Sequence, residues 1–148
     1  MNKRSILVIE DDTGIQAVTK FSLEMDNHWQ VVTANNGTEG VFQASNMNPD
    51  VILLDLVLPD ISGRELLRKL QTERTTSNIP IVLFTAKSIE GEVLRIKSSN
   101  VIGLISKPFD CLTLSSQILD FLAHREQFAD NTINELVSGS DEQLKLRD

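Results

Sequence analysis

The stretch ILVIEDDTG, residues 6–14, decides the fold, because four apolar residues lead directly into three consecutive acids. An unbroken Ile/Leu/Val run is typical of a strand that is buried on both faces of a parallel sheet. Like charges repel, and a carboxylate beside apolar surface loses hydration, so Glu10, Asp11 and Asp12 call for an explanation. Either one acid caps a following helix while the others face water, or the acids form a cation site.

Four further apolar runs follow along the chain, and they predict the other strands. These runs are QVVTA (30–34), DVILLD (50–55), IPIVLF (79–84) and VIGLIS (101–106). Apolar residues elsewhere recur every three to four positions, as expected for helices, in the sets Ile15-Val18-Phe21-Met25, Leu66-Leu67-Leu70, Ile89-Val93-Ile96 and Leu114-Ile118-Phe121-Leu122. This alternation predicts an α/β fold, in which a doubly wound, five-stranded parallel sheet carries helices on both faces.

Composition, charge and the lengths of the apolar runs argue against a nucleic-acid-binding protein and against a membrane protein. The chain has 148 residues, and its 21 acidic against 14 basic side chains give a net charge of -7. That balance argues against a nucleic-acid-binding surface, which is normally basic. The single cysteine, Cys111, cannot form an internal disulfide. No run approaches the roughly 20 apolar residues of a membrane helix. We therefore expect a cytoplasmic protein that binds neither nucleic acid nor membrane.

Chemically active side chains stand at the carboxyl ends of four predicted strands. Glu10 and Asp11 follow strand 1, while strands 3, 4 and 5 lead to Asp55, Thr85 and Lys107. Ligands of a doubly wound sheet bind outside these ends. Oxygen ligands in an open site suit Mg²⁺, and a carboxylate beside the cation can act as a nucleophile toward phosphorus. The hydroxyl and the ammonium group could then donate hydrogen bonds to phosphoryl oxygens.

The motifs ILVIEDD, VILLDLVLPDISG, IVLFTA and GLISKPF, in this order and spacing, resemble the receiver domains of two-component response regulators. The resemblance covers roughly residues 4–124 and implies the flavodoxin-like strand order 2-1-3-4-5. It implies that Asp55 accepts a phosphoryl group from a sensor histidine kinase or a phosphotransfer protein. The protein would then be a phosphorelay component, and an enzyme only toward its own aspartyl phosphorylation and dephosphorylation.

The resemblance also implies a role for each residue of the site. The groups expected to hold Mg²⁺, with Mn²⁺ as an alternative ion, are Asp11, Asp55, the backbone carbonyl of Val57 and, through water, Glu10. The residues expected around the phosphoryl group are the switch hydroxyl Thr85, the small residue Ala86 and the phosphate-facing Lys107.

One position departs from the family pattern. The family commonly has Tyr or Phe three residues before the lysine, and this chain has Leu104 there. An aromatic ring that moves inward is part of the usual switch, so we expect a conformational response of different amplitude. The face formed by the predicted helix around Ile89 and Val93, the fifth strand and the predicted helix that begins at Leu114 is the expected surface for an unidentified downstream protein, or for a homodimer.

Residues 1–125 are expected to form the receiver domain, and the polar residues 126–148 a short extension, a helix followed by a disordered end. One alternative is a pseudo-receiver that binds proteins without phosphorylation. Another is an aspartyl-nucleophile phosphatase, although such enzymes usually carry DxDxT on their first strand, and here the acids of E-D-D-T are contiguous.

Overall fold

The computed structural model describes residues 3–86 and 100–125, and its sheet has five parallel strands. They are β1 (Arg4–Ile9), β2 (Trp29–Ala34), β3 (Val51–Asp55), β4 (Ile81–Ala86) and β5 (Val101–Lys107). Neighbouring strands pair in the order β2-β1-β3-β4-β5. The doubly wound sheet and the strand order expected from the sequence are both confirmed.

Four helices lie within the described ranges, and side chains cap three of them. They are α1 (Thr13–Glu24), α2 (Gly37–Met47), α3 (Gly63–Thr72) and α4 (Leu114–Ala123). Asp12, Asn36 and Ser62 each accept a hydrogen bond from the N–H three residues later. Such bonds satisfy amide donors that the first helical turn leaves free. Asp12 is therefore the one of the three consecutive acids that caps the following helix.

Two predicted segments lie outside the described residues. They are the helix around Ile89, Val93 and Ile96 and the extension 126–148. In the part of the chain that the structure describes, no helix is both long enough and apolar enough to cross a membrane.

The sheet separates two layers of core. On one face, α2 and α3 pack over alternate strand residues in a cluster that includes Leu7, Ile9, Ile52, Leu54, Ala44, Leu66 and Leu70. On the other face, α1 and α4 cover the intervening strand residues in a cluster that includes Ile6, Val8, Leu53, Phe84, Leu23, Leu114 and Ile118. Burial of both faces explains why the strands read as continuous apolar runs. The layers leave the carboxyl edge of the sheet open for the site.

Three of the four residues in the apolar stripe predicted for α1 face away from the core, whereas Ile15 packs against it. Val18, Phe21 and Met25 are 47%, 68% and 48% exposed, whereas Thr19 and Ser22 are buried. The buried hydroxyls are satisfied because Thr19 donates to the Ile15 carbonyl and Ser22 donates to the Cys111 carbonyl. Helical spacing therefore predicted the helix correctly, but the stripe does not mark the buried side.

Candidate functional site

Strand pairing brings the predicted site residues to one edge of the sheet. Glu10 follows β1 directly, Asp55 is the last residue of β3, and Lys107 is the last residue of β5. β4 lies between β3 and β5 and contributes Thr85. Because the strands are parallel, their carboxyl ends open on the same side, as the sequence indicated.

Three carboxylates meet at this edge. One oxygen from each of Glu10, Asp11 and Asp55 lies within 4.8 Å of the other two. Asp11 is exposed, whereas Glu10 and Asp55 are only 1% and 4% exposed. A hard divalent cation takes oxygen ligands and keeps several waters, so a cluster with one open side fits Mg²⁺. The residues present therefore fit the ion that the family resemblance implies.

Lys107 joins two of these acids. Its Nζ lies 2.7 Å from Glu10 Oε1 and 3.1 Å from Asp55 Oδ2. The ammonium also lies 4.9 Å from the centre of the Phe84 ring, within range of a cation–π contact. One cation therefore bridges the two buried carboxylates and reduces the repulsion between them.

Burial and charge shift the pKa of both groups in the Glu10–Lys107 pair. Desolvation raises the pKa of Glu10 to about 7, and its hydrogen bond to Lys107 opposes that rise. For Lys107, desolvation by itself lowers the pKa, but hydrogen bonds and attraction to Glu10 and Asp55 outweigh it, so the pKa is raised. The lysine is thus charged at neutral pH, while Glu10 titrates near neutrality.

Asp55 has a hydrogen-bond donor at each oxygen. Oδ2 faces Lys107, and Oδ1 accepts a hydrogen bond of 3.0 Å from the Val57 N–H. The Val57 side chain is 62% exposed, and its backbone forms an isolated bridge with Ser62. Val57, whose carbonyl is a predicted metal ligand, therefore lies in the loop that directly follows Asp55, the predicted phosphoacceptor.

The predicted switch residues lie close by, but the Thr85 hydroxyl is engaged elsewhere. Thr85 is fully buried, and its Oγ1 donates to the Ala86 carbonyl at 3.1 Å. Ala86 is exposed and pairs with Lys107 in the sheet register. Leu104 is half-buried and packs against the core beneath α2 and α3. Contact between Thr85 and a phosphoryl group therefore requires its side chain to turn.

Sequence reasoning missed two residues that tie the loops of this edge together. Gln16 Nε2 donates to the Glu10 carbonyl at 2.9 Å and to Asn35 Oδ1 at 3.0 Å. Asp60 accepts hydrogen bonds from the start of α2. Both side chains join segments that are distant in sequence, Gln16 from within α1 and Asp60 from a loop to the start of α2, and no local spacing marks them.

Comparison with known proteins gives a consistent result. A family model described as the response regulator receiver domain matches residues 6–119. Hybrid signal transduction histidine kinase D of Dictyostelium discoideum is 30% identical over 126 residues, which are 84% of this chain and 8% of that protein. Transcriptional regulatory protein AfsQ1 of Streptomyces coelicolor is 33% identical over 123 residues, which are 83% of this chain and 53% of that protein. The chain thus spans about half the length, or less, of these relatives.

A solved structure agrees in fold. The CheY-like response regulator receiver domain protein from Methanospirillum hungatei JF-1 superimposes with a TM-score of 0.72 and 29% sequence identity. The similarity covers 85% of this chain and 98% of that one.

Proposed function

The chain belongs to the response regulator receiver domain family, a class of two-component signalling modules rather than conventional enzymes, and we propose that Asp55 is its phosphoacceptor. The proposal rests on one observation above all: Asp55 ends a buried strand beside Glu10, Asp11 and Lys107. A carboxylate with a cationic partner and an open side can receive a phosphoryl group. The donor proposed is the phosphohistidine of a sensor kinase or a phosphotransfer protein.

The transfer balances as a simple displacement. An Asp55 oxygen forms the O–P bond while the N–P bond of the phosphohistidine breaks, and the bond electrons stay with the imidazole. The Lys107 ammonium, already 3.1 Å from Asp55, can donate to a phosphoryl oxygen without crossing the site. Ala86 leaves room for the group at the end of β4, since its side chain is a single methyl.

The acids are proposed to hold the metal. Asp11, Asp55 and the Val57 carbonyl would bind Mg²⁺ directly, or Mn²⁺ in its place, while Glu10 would act through water. When bound, the ion supplies positive charge that offsets the charge on the phosphoryl oxygens. The open position of Asp11 and the proximity of the three carboxylates support this set.

Thr85 is proposed as the switch residue that changes its hydrogen-bond partner when Asp55 is phosphorylated. Its hydroxyl would leave the Ala86 carbonyl and donate to a phosphoryl oxygen. Leu104, on the neighbouring strand, would then repack in place of the aromatic residue common in the family. A leucine has no ring to swing, so we expect the accompanying movement to be small.

We also propose a location, a partner surface and domain bounds for the protein. The protein is a cytoplasmic phosphorelay component whose phosphorylated form binds a protein partner, or a second copy, through the face formed by β5, α4 and the helix predicted around Ile89 and Val93. Residues 1–125 would form the receiver domain and 126–148 an extension. AfsQ1 is described as a transcriptional regulator, but we propose no nucleic-acid contact for this chain, because its charge is -7.

Phosphorylation with small donors tests the proposal. Incubation with acetyl phosphate or phosphoramidate and Mg²⁺ should add the mass of one phosphoryl group, and the gain should be lost on mild alkaline hydrolysis. The Asp55→Asn variant should gain nothing, because its amide is not a nucleophile. Unchanged labelling of that variant would refute the assignment of Asp55. No labelling of the unsubstituted chain would favour the phosphorylation-independent pseudo-receiver.

A further inference from the structure

One side chain, that of Asp60, fastens the loop of residues 56–62 to the start of α2. Asp60 Oδ1 accepts a hydrogen bond from Gly37 N at 2.8 Å. Asp60 Oδ2 accepts two more, from Thr38 N at 2.9 Å and from Thr38 Oγ1 at 2.7 Å. The hydroxyl of Thr38, followed by the two amides, lowers the pKa of Asp60 to about 2. The exposed carboxylate is therefore ionised at neutral pH and faces the positive end of the helix dipole.

Capping of α2 does not by itself explain this contact, because α2 carries its own cap. Asn36 Oδ1 accepts a hydrogen bond from Glu39 N at 2.8 Å. Asp60 comes from outside the helix and brings its loop into close contact. A Cβ placed on Gly37 would lie 2.0 Å from Ile61 Cγ2, so glycine permits the approach. The contact is therefore one between two elements, in addition to a helix cap.

The fastened loop carries the Val57 peptide. The Val57 N–H donates to Asp55 Oδ1 at 3.0 Å, and Val57 forms an isolated antiparallel bridge with Ser62. The bridge joins the beginning of the loop, at Val57, to its end, at Ser62, and Asp60 lies between these two residues in sequence. A fixed Asp60 consequently limits how far the Val57 peptide can move.

The element on the other side of the contact is itself held by the sheet. A Cβ on Gly40 of α2 would lie 2.6 Å from Ile9 Cδ1, so the helix backbone approaches β1 closely. Ile9 directly precedes Glu10. Asp60 therefore connects the loop after the proposed phosphoacceptor to a helix that packs on β1, the strand that leads into Glu10.

We infer that Asp60 is a positioning residue for the metal and phosphoryl site, an inference that rests on the proposed function. It holds the Val57 backbone so that the Val57 N–H faces Asp55 and the Val57 carbonyl can complete the ligands of Mg²⁺. The role is indirect, since Asp60 contacts neither Asp55 nor Glu10 among the hydrogen bonds of the described residues.

Magnesium binding to folded variants tests the role. Asp60→Ala removes all three hydrogen bonds, and Asp60→Asn keeps an acceptor oxygen while removing the charge. Asn36→Ala is the matched control, because it also removes a cap of α2 but leaves the 56–62 loop untouched. Calorimetry is preferable to fluorescence, because the single tryptophan, Trp29, starts β2 at the opposite edge of the sheet.

We expect Asp60→Ala to weaken Mg²⁺ binding about tenfold, the lower end of the range for residues that orient metal ligands. Asp60→Asn should recover part of that loss, and Asn36→Ala should bind as the unsubstituted chain does. The role is overturned if Asp60→Ala binds Mg²⁺ normally, if Asn36→Ala loses as much, or if the unsubstituted chain binds no Mg²⁺. Normal Mg²⁺ binding without phosphorylation of the unsubstituted chain would refute the proposed function, while the ranking of the variants would still decide the role of Asp60.

Discussion

Lys107 and Asp55 are 52 residues apart in sequence, and their side chains meet with Nζ 3.1 Å from Oδ2. The same Nζ lies 2.7 Å from Glu10 Oε1. Two nearly buried carboxylates thus share one cation, while the nearby Asp11 carboxylate remains open to solvent. The arrangement resolves the apparent conflict of an acidic run at the end of an apolar strand, because charge from β5 offsets charge from β1 and β3.

Removing the lysine charge should destabilise the domain. Lys107→Met keeps an aliphatic chain beside Phe84 but leaves Glu10 and Asp55 without their cation. In metal-free urea denaturation at pH 8, we expect the free energy of unfolding to fall by about 2 kcal/mol. Lys69→Met, which removes an exposed lysine of α3, should change it by less than about 0.5 kcal/mol. A Lys107→Met variant as stable as the unsubstituted chain would contradict the bridging role.

The raised pKa of Glu10, about 7 against an ordinary 4.5, predicts a pH dependence of stability. Between these values the folded chain binds the proton more tightly than the unfolded chain does, so stability falls as pH rises through this window. At about 1.4 kcal/mol per pKa unit, the loss across this window is about 3 to 4 kcal/mol.

Glu10→Gln cannot take up or release this proton. Urea denaturation in metal-free buffer between pH 4.5 and 8 should therefore show a smaller decline for the variant than for the unsubstituted chain. Identical slopes for the two proteins would contradict the pKa shift of Glu10.

The hydroxyl of Thr85 should be required for the conformational response but not for phosphoryl transfer itself. Thr85→Ser keeps a hydroxyl, whereas Thr85→Ala lacks one. On addition of beryllofluoride and Mg²⁺, backbone amide NMR signals of β4 and β5 should shift in the unsubstituted chain and in Thr85→Ser, and shift much less in Thr85→Ala. Equal shifts in both variants would exclude the hydroxyl as the switch.

The first residue of α3, Gly63, packs against the loop after Asp55 and should not tolerate a side chain. A Cβ there would lie 2.6 Å from the Leu56 carbonyl oxygen and 2.7 Å from Leu56 Cα, and backbone atoms cannot give way locally. We expect Gly63→Ala to lower the free energy of unfolding by about 2 kcal/mol and to slow labelling by acetyl phosphate. The control, Gly14→Ala in α1, should cost much less, because its Cβ would lie 3.2 Å from one Asp12 carboxylate oxygen, a side-chain atom that needs to move only a few tenths of an ångström. Equal stability of the two variants would contradict this packing.

The site residues whose positions depend on strand pairing could be predicted from the sequence. The contacts that depend on the conformation of loops could not. Glu10, Asp55 and Lys107 could be brought together because parallel strands place their carboxyl ends on one edge. The hydrogen bonds of Asp60 could not be predicted, since they join a loop to a helix start 22 and 23 residues earlier in the chain. The sequence also did not predict which side of α1 is exposed. Thr19 and Ser22 can be buried because their hydroxyls donate to backbone carbonyls.

The most direct test of the central claim is to map the phosphoryl group to a single side chain. After labelling with acetyl phosphate and Mg²⁺, borohydride reduces an aspartyl phosphate to homoserine, and tryptic peptides then locate it. Asp55 lies on the peptide 21–64 and Asp11 on the peptide 5–20, so the two acids are cleanly separated. We predict homoserine at position 55 alone. Homoserine at position 11, or none in a chain that has gained phosphoryl mass, would contradict the proposal.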